Sequence, residues 1–138
     1  MASTVAEVMT HELVTIEADA PVVEAARRMR QSNVGDVIVL DNGKMCGIVT
    51  DRDLVVRALA LEKDPATPVR EVCSGEVAKV TPDTKIDQAV QLMRSKAIRR
   101  LPVVEGDRPV GVLSLGDLAM ERDERSALAD ISAAPANT

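Results

Sequence analysis

The sequence predicts a mixed α/β (α+β) fold made of two tandem modules, each running β-α-β-β-α. Two observations lead there: the chain aligns with itself without a gap, and each aligned half alternates short extended segments with amphipathic helices. A shift of 64 residues lays residues 5–54 over residues 69–118 with 12 identities in 50 positions, among them Asp19/Asp83, Met29/Met93, Gly47/Gly111, Asp53/Asp117 and Leu54/Leu118. Conservative pairs such as Val34/Ile98, Ile48/Val112 and Thr50/Ser114 extend the match.

The elements follow in order. Val14–Ile16 and Ala78–Val80 read as short extended segments, each followed by a loop carrying Asp19 or Asp83. Val22, Ala25, Ala26 and Met29 then fall at i, i+3, i+4 and i+7, as do Ile86, Ala89, Val90 and Met93. That spacing puts one apolar stripe on each helix. Pro21 suits a first helical turn, and Thr84 with Asp87 three residues later resembles a capping box. Val37–Leu40 is an apolar strand closed by Asp41-Asn42-Gly43, a hairpin signal, before a strand at Cys46–Thr50. Leu101–Val104, a turn around Gly106, and Val110–Ser114 repeat the pattern. Final helices start near Asp51 and Leu115.

Pro65 and Pro68 interrupt the joint between the repeats. The boundaries are therefore module one at 5–62, a linker at 63–68, module two at 69–128 and a flexible tail at 132–138. A repeat of about 60 residues buries too little of its surface to stand well alone, so the halves are expected to pack together. Cys46 and Cys73 align with Val110 and Met9, which predicts two free thiols used as small buried hydrophobes.

The composition excludes several functions. A net charge of −5 opposes the broad positive field of a nucleic-acid groove or an anionic membrane surface. No stretch approaches the roughly 18 apolar residues of a membrane span, and no charged-then-apolar leader opens the chain, so a cytoplasmic protein is expected. His11 is the lone histidine, and no nucleophile with a base, metal cluster or paired carboxylates stands out, so neither catalysis nor a metal is expected. With no Phe, Tyr or Trp, any bound base must lie against aliphatic walls.

The segments Gly47–Leu54 (GIVTDRDL) and Gly111–Leu118 (GVLSLGDL), with Val8-Met9-Thr10 and Arg100-Leu101-Pro102-Val103-Val104, resemble the CBS-domain family over nearly the whole chain. The resemblance implies a disc-like pair of modules packed by their sheets, with two clefts related by a pseudo-twofold axis. It also implies an adenosyl ligand in those clefts: AMP, ADP or ATP, with S-adenosylmethionine and NADH as alternatives. No cofactor is required. Relatives commonly form flat discs of two copies, so a homodimer is expected, packed through the helix that carries Leu54, Val55, Ala58 and Leu59.

The residues themselves suit such a ligand. An adenosine needs a carboxylate for its ribose diol, hydroxyls and amides near phosphate, and an apolar slot for the base. Asp53 and Asp117, three residues past Thr50 and Ser114, supply the first two at a strand-to-helix junction. Ala25 or Ala89, Val34 or Ile98, and Ile48 or Val112 are candidate walls. The same Thr50-x-x-Asp53 and Ser114-x-x-Asp117 spacing also fits plain helix caps, and the two roles can coexist.

By the family's cleft pattern, Asp53 groups with Thr84, Ala89, Ile98 and Arg99, and Asp117 with Ala25, Val34, Gly35 and Asp36. Repeat two carries Arg99 and Arg100 where repeat one has Gly35 and Asp36, and Gly116 stands where repeat one has Arg52, so the Asp53 cleft is expected to hold polyphosphates more tightly. The expected function is a regulatory module that binds an adenine nucleotide and signals by a change of shape or association. The alternatives are a ligand-free interaction scaffold and a detached regulatory subunit of an enzyme. The downstream protein partner is not encoded in any feature of the sequence.

Overall fold

The computed structural model describes residues 3–75 and 77–122. The tail expected at 132–138 and the last residues of module two lie outside them. The chain divides into two compact units, one formed by Val14–Val77 and the other by Met1–Leu13 together with Ala78–Thr138. These units cut across the sequence repeat. Each takes its opening segment from the other repeat.

In the first-repeat unit, β1 (Thr15–Glu17) pairs in parallel with β2 (Asp36–Asp41), which pairs antiparallel with β3 (Lys44–Thr50). Helix α1 (Val22–Ser32) buries Val22, Ala25 and Met29, while Ala26, counted in the expected stripe, is exposed. Asn42 and Gly43 both take positive φ (54° and 81°), the geometry of a two-residue type I′ hairpin. After β3 a short helix α2 (Asp51–Asp53) runs directly into a π turn at Leu54–Leu59. The core gathers Ile16, Ala18, Val37, Val39, Val49 and Ala58 with Val69 and Val72 of the following segment.

The second-repeat unit repeats this plan. Helix α3 (Ile86–Lys96) buries Ile86, Ala89 and Met93, strands β4 (Arg100–Glu105) and β5 (Arg108–Ser114) form the hairpin, and α4 (Leu115–Arg122) follows. Ala78–Val80, expected as a strand, forms only a parallel bridge from Val80 to Val103. Thr84 does not cap α3, which starts two residues later behind Lys85. Its hydroxyl instead accepts from Thr81 N–H at 3.1 Å, a local turn that competes with capping. Among the described residues no helix is long and apolar enough to cross a membrane.

Backbone hydrogen bonds show how the opening segments are held. Val5 N–H donates to Thr84 O and Val69 N–H to Ala20 O, both at 2.8 Å. The first amide of α3, Ile86, donates to Ser3 O (3.1 Å), as that of α1, Val22, does to Thr67 O (2.8 Å), so the borrowed segment satisfies a helix-start amide that no side chain caps. Thr10 and Val112 exchange both N–H···O bonds, as do Ser74 and Ile48. Every pair is the other shifted by one repeat.

The identical glycines follow from this docking. A Cβ on Gly111 would stand 2.8 Å from Thr10 O and 2.9 Å from Met9 Sδ, and one on Gly47 would run into Ser74 O with Cys73 Sγ at 3.2 Å. Only a residue without a side chain lets the opening segment approach its strand so closely.

Candidate functional site

Each unit presents one strand-to-helix junction, and at each the expected side chains form a complete capping box. In the first-repeat unit Asp53 N–H donates to Thr50 Oγ1 (3.0 Å) and Thr50 N–H donates to Asp53 Oδ2 (2.9 Å). In the second-repeat unit Asp117 N–H donates to Ser114 Oγ (3.1 Å) and Ser114 N–H donates to Asp117 Oδ2 (3.0 Å). Capping is thus realised at both positions. Each box uses Oδ2, leaving Oδ1 outside it; in the first unit Arg57 Nε lies 3.7 Å from Asp53 Oδ1.

The loop before the hairpin closes each junction. Asp51 N–H donates to Gly35 O (3.0 Å), and Leu115 N–H donates to Arg99 O (2.8 Å). Across the ladder Asp36 stands opposite Thr50 and Arg100 opposite Ser114. Within each unit, then, the charge near the junction is reversed: an anion stands beside the Asp53 box and two arginines beside the Asp117 box. Hairpin pairing and the loop hydrogen bond tie Arg99 and Arg100 to the Asp117 junction of their own unit.

Thr50, Asp53, Ile48, Arg52, Ala25, Val34 and Gly35 all lie in the first-repeat unit, and Thr84, Ala89, Ile98, Arg99, Arg100, Val112, Ser114 and Asp117 in the second. Arg52 and Arg99 are exposed, and Val34, Ile98, Ile48 and Val112 are half-buried. Ala25 and Ala89 are fully buried in the cores of their units, where their methyls are closed to a ligand. Sequence reasoning missed a groove of about 330 Å³ between α3 and α4, lined by Val90, Met93, Ile98, Leu115, Leu118 and Ala119 and also by Arg94. Its signal was the apolar Leu115 at a helix start, where repeat one has Asp51.

The sequence predicts two free, buried thiols, Cys46 and Cys73. Both are free, but Cys46 is exposed, because strand alternation turns Gly47 and Val49 inward and Cys46 outward. Its pKa is raised by desolvation and then by the nearby Asp41 carboxylate; that of Cys73, half-buried against the core, is raised mainly by burial. Neither is an activated nucleophile. Glu7 is held below the usual carboxylate range by the hydroxyls of Thr4 and Ser3, and Arg70 is raised by its bond to Asp19.

The CBS domain family model matches residues 5–59 and again 69–124. The chain is 40% identical over 134 residues to the CBS domain-containing protein YhcV of Bacillus subtilis, covering 94% of this chain and 96% of that one. Its fold is similar to a protein with CBS domains from Burkholderia ambifaria (TM-score 0.79, 28% identity, 89% of this chain and 96% of that one). It is also similar to a CBS domain pair solved in complex with 5-methylthioadenosine and S-adenosyl-L-methionine (TM-score 0.76, 23% identity, 89% and 98% covered).

Proposed function

The chain belongs to the CBS-domain family, as a tandem pair, and from that premise we propose that it is a regulatory module that binds an adenine nucleotide at its strand-to-helix junctions. The observation that carries this reading is the twin capping box. In both repeats a carboxylate is fixed at the first turn of a helix by one oxygen while the other stays out of the backbone network, which is how a diol would be met without disturbing the fold. The helix start beside it adds the partial positive charge that phosphate prefers. A fold neighbour solved with two adenosyl ligands supports the ligand class. The reading is one of binding and signalling, with no catalytic step.

Calorimetric titration with AMP, ADP and ATP tests it. Asp53→Ala and Asp117→Ala should each weaken nucleotide binding about tenfold or more, the worth of a charged hydrogen bond of roughly 1.5 to 3 kcal/mol. Loss of the cap should cost only about 1 kcal/mol of stability. A melting temperature that falls while affinity stays unchanged would make these residues caps and nothing more.

Association of two copies belongs to the same proposal. Val55, Val56 and Leu59, on the segment after the Asp53 box, are exposed, whereas Leu54 and Ala58, expected on the same free face, turn into their own core. An apolar cluster of this kind is cheaper covered than wet. Light scattering should return twice the chain mass at micromolar concentration, and Leu59→Asp should return the monomer; a wild-type chain that is monomeric throughout would rule the dimer out.

A further inference from the structure

The two units carry unlike apolar surfaces. After the Asp53 box, Leu54 and Ala58 turn into the core of their unit, while Val55 and Leu59, roughly a turn apart on the outer side, are 56% and 73% exposed. Leu61 beyond them is exposed as well, so the segment presents an apolar ridge. The second-repeat unit has the converse, the groove of about 330 Å³ between α3 and α4, with Val90 and Leu115 among its lining residues and the small Ala119 beside them. Each feature is missing from the other repeat. At the 64-residue shift Val55 and Leu59 correspond to Ala119 and Asp123, and Val90 and Leu115 correspond to Ala26 and Asp51. Ala119 in place of a valine leaves room where the first repeat builds its ridge. The charges match too: Arg94 lines the groove and Glu62 follows Leu61 at the end of the ridge. Both are exposed, and among the described residues neither side chain has a hydrogen-bond or ion-pair partner.

We infer that the ridge of one copy seats in the α3–α4 groove of a second copy, Leu59 against Leu115 and Ala119 and Glu62 beside Arg94, so that unlike repeats meet. This pairing rests on the two-copy association proposed above and adds which surfaces touch. Like pairing fits worse. Two ridges hold each other apart and leave both grooves wet, and two grooves face to face enclose space that no side chain fills. A twofold pair of unlike surfaces makes the contact twice, ridge to groove and groove to ridge, and leaves neither apolar surface in water. The Glu62–Arg94 pair sits at the rim, where it sets orientation more than affinity.

Leu59→Cys and Leu115→Cys would each be placed in a Cys46→Ser, Cys73→Ala chain, one of the two carrying an affinity tag. The variants are mixed, allowed to exchange subunits and joined with a short bismaleimide. The expected result is tagged-to-untagged covalent pairs in the mixture and near-complete loss of joining with either variant alone. Ala119→Met, which fills the groove from within, should weaken association about tenfold in sedimentation equilibrium while the melting temperature of the dilute chain is kept. Arg94→Glu should weaken it less, about threefold, and adding Glu62→Arg should restore it. A dimeric protein in which the mixture is joined no better than the separate variants, or in which Ala119→Met associates as the wild type does, overturns the ridge-in-groove pairing and leaves the dimer intact. A wild-type chain that is monomeric in light scattering overturns the pairing and the dimer together.

Discussion

The two units hold their opening segments by the same backbone hydrogen bonds one repeat apart, yet they differ where a helix ends or a charge is placed. Asn33 and Ala97 occupy the same left-handed position after α1 and α3, each at φ 54°, and Val34 and Ile98 close the same hydrogen bond onto Met29 and Met93. Asparagine takes that conformation at lower cost than alanine does. Arg70 binds Asp19 at 2.6 Å, while the equivalent pair in the other unit is Ala6 and Asp83. After the capping boxes one helix opens into a π turn and its counterpart stays α. The docking of the opening segments is the shared part of the duplication, and side-chain chemistry together with the run of the last helix is where the copies have separated.

The strongest way to break the shared part is to fill the glycines. Gly47→Ala should cost about 3 kcal/mol and Gly111→Ala about 2, because the added carbon meets a backbone carbonyl in both, while at Gly111 its second neighbour is the flexible end of Met9. Thermal denaturation of the two variants gives the order, and equal small losses would show that the opening segments are not held as described. A sharper comparison comes from the left-handed residues. Ala97→Gly should stabilise by about 1 kcal/mol, Asn33→Ala should destabilise by a similar amount, and Asn33→Gly should change little. Denaturant midpoints at constant m-value measure all three. The smallest effect is expected at the surface pair: Asp19→Ala should barely move the denaturation midpoint, since both side chains are solvated, and added salt should erase what difference there is.

Much of the fold was legible in the sequence, for identifiable reasons. The hairpin turn was readable because Asn42-Gly43 is the pair that a two-residue turn with positive φ at both positions demands. The helix stripes were readable because Val22, Ala25, Met29 and their counterparts recur at helical spacing, and the capping boxes because Thr50-x-x-Asp53 and Ser114-x-x-Asp117 are local patterns with a local geometry. Thr84 misled for the same reason: a hydroxyl near a helix start has two local partners, and spacing does not rank them.

What a single local window encodes, such as period, turn chemistry, capping and the duplication itself, the sequence determined alone. Tertiary structure decided the rest. That Val5 packs with Ile86 and Val69 with Ile16, each opening segment serving the other repeat, appears in no local pattern, because both segments carry the same apolar pair, Val5 and Val8 or Val69 and Val72. The placement of Arg100 opposite Ser114, the exposure of Cys46 and the π turn after Asp53 likewise depend on strand pairing and on which side chains the core has room for. Those are properties of packed neighbours, and packing is settled only when the whole unit closes.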